Sequence, residues 1–505
     1  MSLFDNIWPG WFLYSEDEPM FYTSLLFWIF FTAFLGLYSL VFSRMKVRNI
    51  YLLIVSLFFY FKINGFCFLL LLFSCLVNYL AGIIIERSKQ KKLVLTVAVI
   101  FNLLLLGFYK YAIFITDTIN QLFATRFQMI NWLTYLQNKI TGGTADVYSV
   151  ILPIGISFYT FQAISYLVDV YRKQVKTVRN FLDFSFYLSF FPQLVAGPIV
   201  RASYFIPQLY QKYKLTRQEF SHSLYLILKG LFKKMVIADF LAINLIDRVF
   251  DAPLSYSGIE NLLALYSYAI QIYCDFSGYT DIAIGLALML GFKIPVNFNA
   301  PYQATSLTDF WHRWHISLSS WLKDYLYVPL GGNRKGKPRM YLNLLITMIL
   351  GGLWHGANLR FIIWGAIHGL ALAVEKFFRN LSPIRKKLNV FAKGIFIFLT
   401  FQFVSFAWIF FRLENGTKIR QFFYQLGNHF LPYNSWSDWS VYRNVLLVFV
   451  LGVLLIWTPF RLKEKIRGRF IASPLFIQVF ISIVMLTVIS LVSQTSLQPF
   501  IYFRF

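Results

Sequence analysis

Two histidines in near-apolar surroundings are the residues of this chain best suited to chemistry. His355 sits in GGLWHGAN, from Gly351 to Asn358, about 15 residues beyond the basic loop Arg334-Lys335-Gly336-Lys337-Pro338-Arg339. At about 1.5 Å per helical residue this is about 22 Å, near the middle of a hydrocarbon core about 30 Å thick. An ionisable group at that depth is costly and belongs in a cavity or against a partner. Burial favours the neutral imidazole, which can take a proton from a hydroxyl. The bland alternative is a histidine bonded to a carbonyl where helices pack. His315 lies in the richest polar stretch of the chain, DFWHRWHISLSSWLKDYLYVPLGGNR, from Asp309 to Arg334.

The other titratable residues are weaker candidates. His312 and His315 are three apart and would share a helix face, which raises a metal site. Such a site needs three or four ligands, and no Cys, His or acidic residue stands at useful spacing, so no metal is expected. His368 follows His355 by thirteen residues on a broadly similar helical face, where catalysis and packing are equally open. His222 and His429 read as structural. Asp275 and Asp281, in YCDFSGYTDIAIGLALMLGF, are expensive in an apolar run unless paired. They could orient a histidine or pair with Arg313 or Lys323, and structural pairing is the better reading. A GxSxG elbow, a Walker A loop and a GxGxxG motif are all absent, which argues against a serine hydrolase or an ATP-driven pump.

The elements that must position these residues are membrane helices. The 505-residue chain is 58% hydrophobic, 20% aromatic and only 14% charged, a balance unsuited to a soluble domain. About ten to twelve apolar runs approach the roughly 20 residues a spanning helix needs. They include residues 21–42, 50–62, 66–85, 93–116, 443–458 and 475–494. The net charge of +25 resides in short connectors between them, a positive-inside pattern rather than a nucleic-acid groove. It predicts both termini outside and the loop Arg461 to Arg469 in the cytoplasm. The stretches 180–197, 222–250 and 310–333 mix proline, lysine, histidine or aspartate with apolar residues, as broken or re-entrant helices lining a cavity would. Cys67, Cys75 and Cys274 lie in apolar runs with no ligand-like spacing, and no cleaved signal peptide is expected. Strand-like alternation is absent, so the fold class is all-α: a polytopic transmembrane helical bundle forming one domain over 1–505, with its chemistry in 150–375 and an aromatic tail at 500–505.

Several segments together resemble the membrane-bound O-acyltransferase (MBOAT) family, in its bacterial alginate O-acetylation branch. They are LPIGISFYTFQAISYLVDVYR (Leu152 to Arg172), FFPQLVAGPIVR (Phe190 to Arg201), the Asp275 region, WHISLSSWLKDYLYVPLGGNR and GGLWHGAN. The resemblance covers about residues 20–460. It implies a helical bundle whose cytoplasmic and outer funnels meet in a central tunnel near the histidines. It also implies His355 as general base, and His315 as the residue that positions the donor carbonyl or assists proton transfer. Asp309, Arg313 and Trp354 would shape the tunnel. The implied reaction takes acetyl from cytoplasmic acetyl-CoA, with no bound cofactor, toward an extracytoplasmic polysaccharide through an SGNH-type partner transferase at a bacterial cell membrane.

The final hexapeptide FIYFRF is similar to the tyrosine-containing tail of a small partner protein in teichoic-acid D-alanylation. An ester on a phenol of pKa about 10 is more activated than one on an alkyl alcohol, so Tyr502 is a candidate acyl carrier. The plain alternative is an aromatic belt at the membrane interface. Two other functions compete: D-alanyl transfer to teichoic acid, and a transporter. The latter is disfavoured because the inverted repeats or paired broken helices common in transporters are not evident.

Overall fold

The computed structural model describes residues 14, 19–142, 144, 146–148, 152–195, 197–381, 389–431, 442–492 and 500–501, and every regular element among them is helical. The chain divides into two compact units, one of residues 1–215 with 290–294, the other of 216–289 with 295–505.

The first unit contains α1 (Leu25–Val41), α2 (Met45–Asn64), α3 (Cys67–Arg87), α4 (Lys91–Phe123), α5 (Trp132–Thr141), α6 (Ile156–Tyr171), α7 (Phe181–Ser189), α8 (Phe191–Leu194) and α9 (Ala202–Leu209). Ser24 starts α1 by accepting the Phe27 amide at 3.2 Å, which satisfies one of the helix's orphan donors. Several buried polar groups here join separate elements. Asn78 of α3 and Asn102 of α4 exchange amide hydrogen bonds of 3.1 and 2.8 Å, the interhelical glue available in a lipid solvent. The Arg48 guanidinium is buried, donates to the carbonyls of Leu209 and Gln211 at 2.8 and 2.9 Å, and lies over the Phe292 ring. Proline at 192 sets the short α8 immediately after α7, so the FFPQL segment is broken as its composition predicts.

The second unit carries all the candidate site residues. It begins with α10 (Arg217–Leu231), whose Thr216–Glu219 capping box fixes its start. Wider π-helical turns at Phe232–Ala238 and Ala242–Ile246 continue it. Then come α11 (Gly258–Met289), α12 (Leu307–Arg313), α13 (Ile316–Leu322), α14 (Lys337–His355), α15 (Leu359–Leu381), α16 (Val390–Arg412), α17 (Gly416–Asn428), α18 (Arg443–Trp457), α19 (Phe460–Ala472) and α20 (Leu475–Val492).

Among the described residues six helices, α2, α3, α4, α15, α16 and α20, are long and apolar enough to cross a membrane. The α18–α19 pair, bent by 96°, makes a seventh if it is one span. Other apolar runs fold into shorter or broken elements: α1 has 17 residues, and the polar stretch after Asp309 is split between α12, α13 and a π turn at Lys323–Tyr327. Irregular backbone of this kind is tolerated in a membrane protein where surrounding protein satisfies it.

Glycines set how closely the site-bearing helices approach. A Cβ on Gly352 of α14 would lie 2.1 Å from the Phe361 carbonyl oxygen, and one on Gly365 of α15 would lie 2.3 Å from that of Met348. Both obstacles are backbone, which cannot rotate away. Gly365→Ala is therefore expected to force the hairpin apart at a cost of at least about 1–3 kcal/mol. Thermal unfolding of the purified protein in detergent should record it as a lowered midpoint.

Candidate active site

The α14–α15 hairpin delivers the first histidine. His355 is the last residue of α14, and Gly356 follows in extended conformation, so the imidazole stands at the helix's C-terminal end rather than partway along a continuous apolar helix. It is buried, with Trp354, Trp364 and Phe411 meeting it at ring-centroid distances of 5.0, 5.2 and 5.2 Å.

His315 arrives differently. Phe310 and Trp314 keep α12 helical to Arg313, after which the chain reverses through His315 at φ +44°, ψ +54°, and α13 begins. A non-glycine residue in the left-handed region is strained and persists where its surroundings enforce it. Asn297 does so here. Its backbone carbonyl accepts the Ile316 amide at 3.0 Å, and its side-chain oxygen accepts the Ser317 amide at 3.2 Å and hydroxyl at 2.6 Å. The shared helix face expected of His312 and His315 is thus absent, because the helix breaks between them. His312 instead lines a neighbouring cavity, while His315 is buried. Burial lowers the pKa of the His315 imidazole and keeps it neutral near pH 7. Among the described residues no group of three or more His, Cys, Asp or Glu side chains is placed to hold a metal ion.

Trp354 stands between the two histidines, 6.0 Å from His315 and 5.0 Å from His355 by ring centroids. On the far side of His355, Trp364 also touches His368 at 4.9 Å, and Trp311 completes that contact at 5.2 Å. His368 is fully buried in these rings, with neither nitrogen hydrogen-bonded to any described residue. Three of the six histidines therefore share one aromatic cluster, with rings from α11, α12, α14, α15 and α16.

Trp311 also lines a cavity of about 350 Å³ shared by His312, Ser319, Ser320, Lys323 and Lys376, with Leu322 and Met348 among its apolar walls. The hydroxyls of Ser319 and Ser320 donate to the Trp314 and Ser317 carbonyls at 3.0 Å each, which leaves their oxygens with acceptor capacity. Apolar walls with a few hydroxyls and two ammonium groups suit an amphipathic anionic molecule.

The carboxylates do other work. Asp309 and Arg313 pair at 2.7 Å along α12, about one-third exposed, and Asp309 also accepts the Thr305 amide at 3.1 Å. Asp275 and Asp281 are paired, as their burial requires, but not with Arg313 or Lys323. Asp281 holds Lys229 at 3.0 Å and Lys233 at 2.8 Å, while Asp275 holds Lys234 at 2.5 Å. The reason is helix packing. Gly230 and Gly278 let the two backbones approach so closely that a Cβ on Gly230 would lie 2.5 Å from the Gly278 carbonyl oxygen. Lysines at 229 and 233, one turn apart, then face Asp281 together. The ring of Phe276, the neighbour of Asp275, meets His315 at 4.6 Å. Tyr502 lies outside the described residues, whereas Phe500 and Ile501 are buried in this unit.

Sequence reasoning passed over Asn297 and Phe276, and it read Lys234 as part of the broken stretch 222–250 but not as the partner of Asp275. Asn297 carried a readable signal, an asparagine in the turn-rich segment Asn297-Phe298-Asn299-Ala300-Pro301. Phe276 carried none, because one phenylalanine among 57 is not distinguished by type.

Fold and site together define a helical, multi-pass membrane protein with a buried imidazole cluster beside an amphipathic cavity. The chain belongs to the membrane-bound O-acyltransferase family, MBOAT, whose pattern it matches over residues 20–413, and it is an enzyme of that acyl-transferring kind. It is 42% identical over 404 residues to the probable alginate O-acetylase AlgI of Pseudomonas syringae pv. tomato, covering 78% of this chain and 73% of that one. It is 38% identical over 396 residues to the peptidoglycan O-acetyltransferase of Helicobacter pylori, with 73% and 71% covered. A more distant relative is the teichoic acid D-alanyltransferase of Bacillus subtilis, at 30% over 272 residues, 51% of this chain and 68% of that one.

Proposed function

We propose that the protein moves acetyl from cytoplasmic acetyl-CoA through the membrane to a polysaccharide outside the cell membrane, with Tyr502 as first acceptor and an extracytoplasmic SGNH-type transferase as the next. The observation that carries this reading is the pair of buried imidazoles bracketing Trp354, a proton-accepting centre built into apolar surroundings. Two relatives named for O-acetylation, one of alginate and one of peptidoglycan, support acetyl and a glycan over D-alanyl and teichoic acid, because they match more of the chain at higher identity.

In this mechanism His355 takes the proton of the attacking hydroxyl as its oxygen forms a bond to the acetyl carbonyl carbon. The carbon–sulfur bond then breaks, and the proton passes to the departing thiolate, leaving an O-acetyl ester and free CoA thiol. His315, neutral and held by the Asn297 turn, orients the thioester carbonyl. Trp354 fixes the distance between the two imidazoles. The cavity with Lys323 and Lys376 offers two cations to the anionic part of the donor. Asp309 and Arg313 support this wall through α12 rather than meeting the reacting atoms.

Mass spectrometry of the C-terminal peptide, after incubation of the purified protein with isotopically labelled acetyl-CoA, tests the relay. The expected result is one acetyl group on Tyr502, released by mild base, and transfer to a glycan acceptor lowered at least about tenfold in Tyr502→Phe. An unmodified tail together with full activity of Tyr502→Phe would remove the relay from the mechanism.

A further inference from the structure

The C-terminal segment meets the second unit at one defined place. The backbone N–H of Ile501 donates to Oδ2 of Asp275 at 3.0 Å, a contact between residues 226 apart in sequence. The other oxygen of that carboxylate, Oδ1, accepts from Lys234 Nζ at 2.5 Å, and the same ammonium meets Asp239 at 2.8 Å. The preceding residue, Phe500, is fully buried, with its ring 5.5 Å from Phe276 and 4.7 Å from Tyr279. Lys234 also lies over the Tyr279 ring, 5.6 Å from its centre. Phe276 completes the connection, since it touches Phe500 and, edge-on at 4.6 Å, His315.

These groups suit recognition of a peptide backbone. A buried carboxylate with one oxygen neutralised by lysine can turn the other toward an amide N–H, and such charge-assisted hydrogen bonds are among the stronger ones. Positions 275 and 279 are one turn apart on α11, so carboxylate and tyrosine ring face the same way, with Phe276 beside them. The carboxylate takes the backbone of residue 501, and the two rings take the side chain of residue 500.

We propose that Asp275, Phe276 and Tyr279, with Lys234 behind the carboxylate, form a peptide-docking site for the chain's own C-terminal segment, and that Asp275 is thereby a positioning residue of the acyl-transfer reaction. It holds Phe500 one aromatic ring away from His315 and ties residue 501 to α11, anchoring the segment that carries the proposed acyl acceptor. This rests on the acyl-transfer reading for its purpose, whereas the docking itself is measurable without turnover.

The test uses the full chain purified in detergent and two readouts. Hydrogen exchange followed by mass spectrometry should find the Ile501 amide at least 100-fold slower than in an unstructured peptide. Most of that protection should disappear in Phe500→Ala, which empties the aromatic half of the site. Acetyl transfer from labelled acetyl-CoA should fall at least tenfold in Ile501→Pro, which removes the donated N–H and fixes the backbone at 501 while leaving the Asp275–Lys234 pair in place. Ile501→Val keeps that N–H and should remain within twofold of the natural chain. An unprotected Ile501 amide in the natural chain would overturn the docking site. Equal activity of Ile501→Pro and Ile501→Val would overturn the positioning role. A protected amide in a chain that moves no acetyl group would uphold the docking and overturn the reading of acetyl-CoA as the donor instead.

Discussion

His355→Asn is expected to lower acetyl transfer from acetyl-CoA by about 10²–10⁴-fold, the usual contribution of a positioned general base. Asparagine fills much of the imidazole's place between Trp354, Trp364 and Phe411, so the aromatic cluster survives and the loss reports proton transfer rather than collapse. The larger deletion His355→Ala should match it in activity while also costing stability through the space it opens. Steady-state transfer of labelled acetyl, measured beside thermal unfolding of each variant, separates the two effects. If His355→Asn retained more than about a tenth of the activity, His355 would not be the base. His368 would then become the candidate, as the third imidazole of the cluster, sharing Trp364 with His355.

The second large effect is on stability. Asp275→Ala removes a carboxylate whose side chain is 3% exposed and leaves Lys234, 1% exposed, with Asp239 as its remaining charged partner. Breaking one side of a buried ion pair costs about 3–5 kcal/mol, because the remaining charge keeps its desolvation penalty. Asp239 holds the expected loss near the lower end, about 3 kcal/mol. The unfolding midpoint of Asp275→Ala should therefore fall well below that of an exposed change such as Glu414→Ala. Replacing both partners, in Lys234→Met with Asp275→Leu, should recover a substantial part of the loss, since two apolar side chains carry no stranded charge. No recovery would mean that the carboxylate matters chiefly for the Ile501 amide and not for the lysine.

Much of this protein was legible before any coordinates. Composition and charge placement require a helical membrane protein, because hydrocarbon leaves helices and closed barrels as the only ways to satisfy a spanning backbone. A histidine in each of two motifs, WHISLSSWLKDYLYVPLGGNR and GGLWHGAN, marked the candidate centre, since an ionisable side chain in an apolar run is too costly to keep without use or partner, and the fold buries both in one aromatic cluster. The need of Asp275 and Asp281 for partners followed from the same cost.

Their actual partners did not follow, and neither did the geometry of the site. Lys229, Lys233 and Lys234 reach the carboxylates because two glycines bring α10 and its π-helical continuation against α11, a distance set by backbone packing that periodicity does not encode. The separation of His312 from His315 depends on a left-handed residue held by Asn297, whose hydrogen bonds join positions twenty apart. Trp354 lies between His315 and His355, and Phe276 between His315 and the tail, because helices from distant parts of the chain bury the same aromatic cluster. By itself the amino-acid order determined which groups were too expensive to be idle; tertiary packing alone decided which rings and charges they meet, because those contacts depend on distances across the fold and not along the chain.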